Sequence, residues 1–172
     1  EAISLGGLAK KINEFKQTRE TFYTPKFESD FDQKLYATFL SYYSANDFAY
    51  DLKMNVDARG SFTEVLKTLN DGQFSVNISK PGIIKGNHYH HTKNEKFIVV
   101  SGECEIKLRK VGTKEIFLYK VSGSKIQAVD IPPGYAHSIT NIGPTDSVTI
   151  MWASEVFDKD NPDTYYEEVE KR

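Results

Sequence analysis

From about residue 56 onward, apolar and polar side chains alternate along the chain, and few folds are compatible with this pattern. Residues 74–78 alternate in this way, and residues 104–108 do so again. A period of two residues is typical of a strand, in which successive side chains point to opposite faces. Turns containing glycine separate the alternating segments, as at residues 70–72 and 132–134. Many short strands at regular spacing predict an all-β sandwich or barrel.

The first part of the chain follows a helical period instead. Apolar residues recur at three- and four-residue steps from Leu5 to Phe15, and again from Phe31 to Tyr42. This spacing predicts two short amphipathic helices, which must pack against the rest of the chain or against another domain. We therefore divide the chain into a helical segment, 1–50, and a β domain, 51–172. The polar stretch 158–172 is predicted to be a surface segment.

Composition and charge exclude several classes of partner. The formal net charge is −2, with acidic and basic residues mixed along the chain, so we expect no nucleic acid partner. The chain has no run of about 18 apolar residues, so we expect no membrane span.

Cys104 is the only cysteine, which rules out an internal disulfide and fits a reducing compartment. We expect a cytoplasmic protein. Because the chain does not begin with Met, we also expect it to be part of a longer one.

Three of the four histidines lie within one short segment. On a strand, His88 and His90 point to the same side, and Glu95 follows after a turn that returns it to the same place. A closed barrel would bring the fourth, His137, opposite this pair. Imidazole and carboxylate together suit divalent ions such as zinc, manganese, iron or nickel. The sequence therefore predicts a metal site formed by these four residues, with His91 turned to the opposite face.

The same segments resemble the two cupin motifs. The first motif matches as Gly82, five residues, His88-x-His90, four residues, Glu95, six residues and Gly102. The second matches as Pro132-x-Gly134, two residues, His137, three residues and Asn141, whereas Ile126 replaces its leading glycine. The resemblance implies a double-stranded β-helix, which is a jelly-roll barrel, preceded here by the short helical segment.

A motif before the histidines resembles one branch of the cupins. The segment Asp57-Ala-Arg59-Gly60-Ser-Phe62-Thr-Glu64 is similar to the opening of the RmlC-like dTDP-4-keto-6-deoxyhexose epimerases, and Lys85-Gly-Asn-His88-Tyr89 is similar to the segment around their catalytic histidine. The resemblance implies that Arg59, Phe62, Glu64 and Lys85 bind a nucleotide sugar. Two alternatives stay open: Arg59 and Glu64 form an ion pair with each other, or Lys85 is a solvated turn residue.

The whole chain resembles the C-terminal half of the bifunctional capsular polysaccharide synthesis enzymes of the CapF type. In these enzymes a short-chain reductase domain precedes a cupin. The resemblance implies that residues 1–50 are the end of the missing reductase domain, which would use NADPH. It also implies C3-epimerisation of a UDP-4-keto-6-deoxy-N-acetylhexosamine in the synthesis of UDP-N-acetyl-L-fucosamine, a capsular polysaccharide precursor.

Proton transfer is the least determined part of this interpretation. The candidates are His88, Lys96, Tyr89 and Tyr135, together with Lys85, and the tyrosine that serves as the acid in the RmlC-like branch is missing from residues 148–153. The metal, which we expect to be zinc, is either catalytic or structural. Two other functions stay open: another metal-dependent cupin enzyme, such as an oxygenase or isomerase, or a non-catalytic module that binds a nucleotide sugar or dimerises. We expect a homodimer.

Overall fold

The computed structural model describes residues 2–170 as two helices followed by eleven strands. Residues 1, 171 and 172, at the ends of the two predicted ranges, lie outside the described residues. The helices are α1 (Leu5–Thr21) and α2 (Asp30–Ser41), and a 3₁₀ turn follows at Ala45–Asp47. The strands are β1 (Met54–Asp57), β2 (Gly60–Lys67), β3 (Gln73–Ser79), β4 (Ile84–Tyr89), β5 (Glu95–Ser101), β6 (Glu103–Lys110), β7 (Ile116–Ser122), β8 (Ala128–Ile131), β9 (Tyr135–Asn141), β10 (Ser147–Ala153) and β11 (Tyr165–Tyr166).

The strands form two antiparallel sheets. The first sheet has the order β1-β2-β3-β10-β5-β8, and the second has the order β11-β4-β9-β6-β7. Neighbours that are distant in sequence, such as β3 and β10, pair along their full length. This arrangement is the jelly-roll sandwich of the cupins, so the predicted fold class is confirmed.

The apolar core occupies only one part of the space between the sheets. It consists of nine buried side chains from β5 to β9: Phe97, Val99, Cys104, Ile106, Leu108, Val121, Val129, Ile131 and Ile139. Burial of this apolar area supplies the main force that holds the two sheets together.

The other part of the interior is polar. On β3 the buried side chains are Gln73, Ser75, Asn77 and Ser79, whereas Phe74 on the opposite face is 38% exposed. The alternation on this strand was therefore predicted correctly, but the polar face is the one that is buried. A buried polar face must be satisfied by hydrogen bonds, and it can also receive a polar ligand.

Both helices begin at serine caps, because the side chains of Ser4 and Ser29 accept backbone N–H bonds at the first turns. Phe15 on α1 is buried, and its ring lies 5.0 Å from that of Tyr36 on α2. Two backbone hydrogen bonds join the residues after α1 to Lys67 at the end of β2. Within the part of the chain that the structure describes, neither helix has the length and apolar character needed to cross a membrane.

The C-terminal residues 158–170, here called the C-terminal strap, are bound closely to the barrel. Strand β11 pairs with β4, and Val169 is buried. The guanidinium of Arg109 on β6 donates to the carbonyl oxygens of Glu168 and Val169. The prediction of a surface segment is confirmed, because most of these residues are exposed. The strap is in addition anchored through backbone atoms, which hydropathy does not reveal.

Candidate functional site

Strands β4 and β9 bring two of the histidines together. His88 and His137 are directly opposite each other, after a bulge between Gly86 and His88 shifts the register. Their ring centroids lie 4.5 Å apart. His90, just beyond β4, has its ring 5.0 Å from that of His88. Both sheets thus contribute, because Glu95 begins β5 on the facing sheet.

The four predicted ligands form one compact group. One ligand atom from each of His88, His90, Glu95 and His137 lies within 4.8 Å of the others. The Glu95 Oε2 atom is 3.0 Å from His137 Nε2 and 3.3 Å from His90 Nε2. The structure therefore brings together the residues that the cupin spacing singled out.

A backbone contact orients each of the three imidazoles. His90 Nδ1 contacts the carbonyl oxygen of Asp163, His137 Nδ1 lies 3.3 Å from the carbonyl oxygen of Tyr135, and His88 has a hydrogen bond with the backbone of Gly86. A proton on Nδ1 that is donated to a carbonyl leaves Nε2 with its lone pair. In His90 and His137 that lone pair faces the Glu95 carboxylate.

The charges of the group reflect its burial. Burial, with repulsion from His137, lowers the pKa of His88 to about 4, so this imidazole is neutral at pH 7. Burial by itself would raise the pKa of Glu95, but the nearby imidazoles of His137 and His90 outweigh it and hold that pKa well below its usual range. Burial opposes the charge of His90 as well, yet the Glu95 carboxylate and the backbone of Asp163 raise its pKa overall.

The residues present fit a divalent metal ion. Three buried atoms, His90 Nε2, Glu95 Oε2 and His137 Nε2, lack a hydrogen bond of good geometry although they converge on one point. A buried carboxylate oxygen that faces two imidazole nitrogens is stabilised by a cation placed between them. Three imidazole nitrogens and one carboxylate oxygen are a set of ligands that suits zinc and similar divalent ions.

A cavity of about 340 Å³ opens directly beside this group. Glu95, His88 and His137 form one wall. Lys85 and Arg59 also line the cavity. The metal-competent group therefore shares its cavity with two cationic side chains.

Lys85 and Arg59 are held differently. The Lys85 Nζ atom donates to Asn77 Oδ1 at 2.6 Å and to the carbonyl oxygen of Ile78 at 3.0 Å, and burial lowers the pKa of Lys85. Lys85 is thus no solvated turn residue. Arg59 is exposed at the mouth, where its guanidinium binds Asp57 at 2.6 Å.

A second cavity, of about 450 Å³, reaches the metal-competent group through His90 and also has His88 and Glu95 in its wall. Phe62 lines both cavities, whereas Glu64 lines only the second. Glu64 forms an ion pair with Lys67 at 3.0 Å. The alternative that Arg59 and Glu64 pair with each other is therefore wrong.

Three proton-transfer candidates lie outside both cavities. Lys96 follows Glu95 on β5, so its side chain is on the other face, where it forms an ion pair with Asp130. The ring of Tyr89 stacks on Tyr165 at 5.4 Å. Tyr135 packs against the apolar core. The structure does not bring these side chains to the predicted metal site.

Two residues of the site were missed in the sequence. Asn77 belongs to the polar face of β3, and only its alternation with apolar neighbours pointed to it. Asp163 lies in the polar strap, 73 residues after His90 along the chain, and no local pattern connects the two.

The fold and the ligand set define a cupin whose residues could hold a metal ion. Residues 55–165 match the model of the family described as polysaccharide biosynthesis C-terminal domain. The chain belongs to this family. It is 43% identical over 163 residues to the UDP-2-acetamido-2,6-beta-L-arabino-hexul-4-ose reductase of Pseudomonas aeruginosa. The aligned region covers 95% of this chain and 44% of that protein. The chain thus spans less than half the length of this relative.

Solved structures agree with this assignment. The capsular polysaccharide assembling protein CapF of Staphylococcus aureus matches with a TM-score of 0.95 and 56% identity, over 97% of this chain and 49% of that chain. An oxalate decarboxylase of Bacillus subtilis matches with a TM-score of 0.52 and 20% identity, over 67% of this chain and 30% of that chain. The second match concerns the fold alone.

Proposed function

We propose that this chain is the epimerase domain of a bifunctional epimerase and NADPH-dependent reductase of capsular polysaccharide synthesis. Its reaction is the C3-epimerisation of a UDP-4-keto-6-deoxy-N-acetylhexosamine on the route to UDP-N-acetyl-L-fucosamine. The observation that carries the proposal is the shared cavity, where Lys85 and Arg59 lie beside His88, Glu95 and His137. The name of the Pseudomonas aeruginosa relative, which refers to a UDP-linked 4-keto sugar, supports the substrate class.

The chemistry needs an acid, a base and stabilised negative charge. A ketone at C4 acidifies the C3 proton, so inversion removes this proton on one face of the sugar and returns one on the other. A divalent ion held by His88, His90, Glu95 and His137, for which we propose zinc, would act as a Lewis acid towards the enolate oxygen.

Lys85 is the side chain best placed to move a proton. It lines the cavity, burial lowers its pKa, and Asn77 and Ile78 hold its amine in one position. A lysine whose pKa is lowered in this way can serve as a general base or acid. His88 is the second candidate if it is not bound to the metal throughout.

The remaining polar groups are assigned to substrate binding. Arg59 offers a planar fork for the diphosphate at the mouth of the cavity, where it would exchange Asp57 for a phosphate. Phe62 offers an apolar surface shared by both cavities, and Glu64 can accept a hydrogen bond from a hydroxyl or amide in the second.

The proposal extends to the whole protein. Residues 1–50 are proposed to be the end of a short-chain reductase domain that binds NADPH, and residues 51–172 to be the cupin domain. The protein is proposed to be a cytoplasmic homodimer. The apolar outer face of β3 and β10 supports the dimer.

The decisive experiment follows the sugar by NMR in deuterated water. We expect the C3 proton signal of the UDP-4-keto-6-deoxy-N-acetylhexosamine to disappear as a new epimer appears. Lys85→Met should slow this exchange by about 10²–10⁴-fold, the usual contribution of a general acid or base. Lys80→Met is the control, because Lys80 is exposed and outside the cavity. Tight binding without exchange would contradict the epimerase and favour a binding module.

A further inference from the structure

Asp163 in the C-terminal strap binds the turn that joins β4 to β5. Its Oδ1 accepts the backbone N–H of His91 at 2.9 Å, and its Oδ2 accepts those of Thr92 and Lys93, both at 3.0 Å. The Thr92 hydroxyl donates to the same Oδ2 atom at 3.0 Å. One carboxylate therefore holds all three residues between His90 and Asn94.

The main chain of the same residue contacts a metal ligand. The carbonyl oxygen of Asp163 is the partner of His90 Nδ1. Asp163 has a φ of 41°, in the left-handed region that aspartate and asparagine tolerate better than most residues. In this conformation its carboxylate holds the turn while its carbonyl orients the imidazole.

The strap itself is fixed on both sides of Asp163. Before it, the carbonyl oxygen of Pro162 accepts a bond from Lys93 Nζ at 2.9 Å. After it, β11 pairs with β4, and the side chain of Asn87 accepts the N–H of Val169 at 3.2 Å. Asp163 is therefore carried by an anchored segment.

We propose that Asp163 is a positioning residue for the metal site. Its carboxylate fixes the turn after His90, and its carbonyl fixes the His90 imidazole with Nε2 towards the metal. Partners of this kind, which hydrogen-bond the second nitrogen of a ligating histidine, set its tautomer and ring orientation. This role rests on the metal site proposed above and does not depend on the epimerase reaction.

The charge of Asp163 matters because every group it meets is a donor. An ionised carboxylate offers only acceptors to the three N–H groups and the hydroxyl. Asparagine has the same shape and tolerates the left-handed backbone, but its NH₂ group would face one set of these donors. Asp163→Asn therefore loosens the turn with little change in volume.

The test is metal binding, measured with cobalt added to the metal-free protein. We expect Asp163→Asn to weaken cobalt binding by about 10–100-fold, the range found when such a partner is lost, and to change the visible spectrum of the bound ion. Thr92→Val, which removes one of the four bonds to the carboxylate, should weaken binding less and is available if Asp163→Asn does not fold. Asp158→Asn is the control, because Asp158 caps Asp160 in the same strap.

The outcomes separate positioning from general stability. A stabilising contact without a positioning role would lower the Tm of the metal-free and the metal-loaded protein equally, with affinity and spectrum unchanged, and this result would overturn the proposal. If Asp163→Asn does not fold, unchanged cobalt binding by Thr92→Val would also overturn the proposal. A parent protein that binds no cobalt would overturn the metal site and this role together, whereas tight binding by parent and Asp163→Asn alike would overturn this role alone.

Discussion

Gly86 determines the direction in which the His88 side chain points. Its φ is 103°, and an added Cβ would lie 2.6 Å from the carbonyl oxygen of His137. The next residue, Asn87, has a φ of 58°, and the bulge at this position places His88 opposite His137. Bulges of this kind re-aim a side chain at the cost of a ladder bond. Only a residue without a side chain allows β4 to approach β9 this closely.

We predict that Gly86→Ala destabilises the protein and disturbs the metal site. Gly82→Ala is a matched control, since Gly82 also has a positive φ but an added Cβ would meet nothing within 4 Å. The backbone strain alone should cost about 1 kcal/mol for Gly82→Ala. The additional clash should bring the cost for Gly86→Ala to roughly 3 kcal/mol. Urea unfolding measures both, and equal losses would contradict the steric argument.

Removal of the metal should lower the thermal stability. Without a cation, the buried Glu95 Oε2 faces His90 and His137 with no satisfactory hydrogen bond. A metal at 100 times its Kd adds about 2.7 kcal/mol to the free energy of unfolding. We therefore expect the Tm to fall on chelation and to recover with zinc. Calorimetry should find this difference abolished in His90→Ala and retained in His91→Ala, because the His91 ring packs on Tyr165 instead. A Tm that is insensitive to chelation would contradict the site.

At the scale of single elements, strands and motifs differ in how well the sequence predicts them. The spacing of His88, His90 and Glu95 was sufficient because alternation turns the two histidines to the same side, and a short turn brings Glu95, at the start of β5, back to them. The inner face of β3 could not be predicted, because a buried polar row is favourable only beside a cavity that other strands create. Asp163 acts through backbone N–H groups, which every turn has, so its partner cannot be recognised in advance.

The helical pair shows how an ion pair joins two elements. Lys11 on α1 lies 2.7 Å from Asp32 on α2, whose side chain is 3% exposed, and Asp32 also accepts the N–H of Glu28. The hydrogen bond from Lys11 lowers the pKa of Asp32 below its ordinary value of 3.8. The ionised carboxylate is thus part of the contact between the helices.

We predict a pH-dependent effect of Asp32→Asn. A carboxyl whose pKa is lower in the folded than in the unfolded chain stabilises the fold above its unfolded pKa, and this contribution is lost as the pH falls through the folded value. The variant should therefore be less stable than the parent at pH 7, and the difference should shrink below about pH 4. Urea unfolding with a chelator present would compare the metal-free proteins. Asp30→Asn, an exposed neighbour, should have little effect, and a pH-independent difference for Asp32→Asn would refute the ionic explanation.

At the scale of the whole molecule, the space between the two sheets is divided into an apolar part and a polar part. The strands β5 to β9 supply the apolar core, whereas β2 and β3 contribute polar side chains to the two cavities. The inner polar face of β3 and β10 leaves their apolar residues outside. Ile98, Ile150 and Val76 lie side by side across β5, β10 and β3 on this outer face. Apolar rows of this kind on an outer face are typical of protein interfaces.

The outer face of β3 and β10 is therefore where we expect two copies of the chain to meet. Val76→Asp would place an unpaired carboxylate in this interface, which costs several kcal/mol. We therefore expect this variant to sediment as a monomer in analytical ultracentrifugation, with an unchanged circular dichroism spectrum. Leu118→Asp places the same charge on an exposed apolar residue of β7, at the edge of the other sheet, and should leave the dimer intact. If Leu118→Asp rather than Val76→Asp dissociates the protein, the interface lies at β7. A parent protein that sediments as a monomer would contradict the proposed dimer itself.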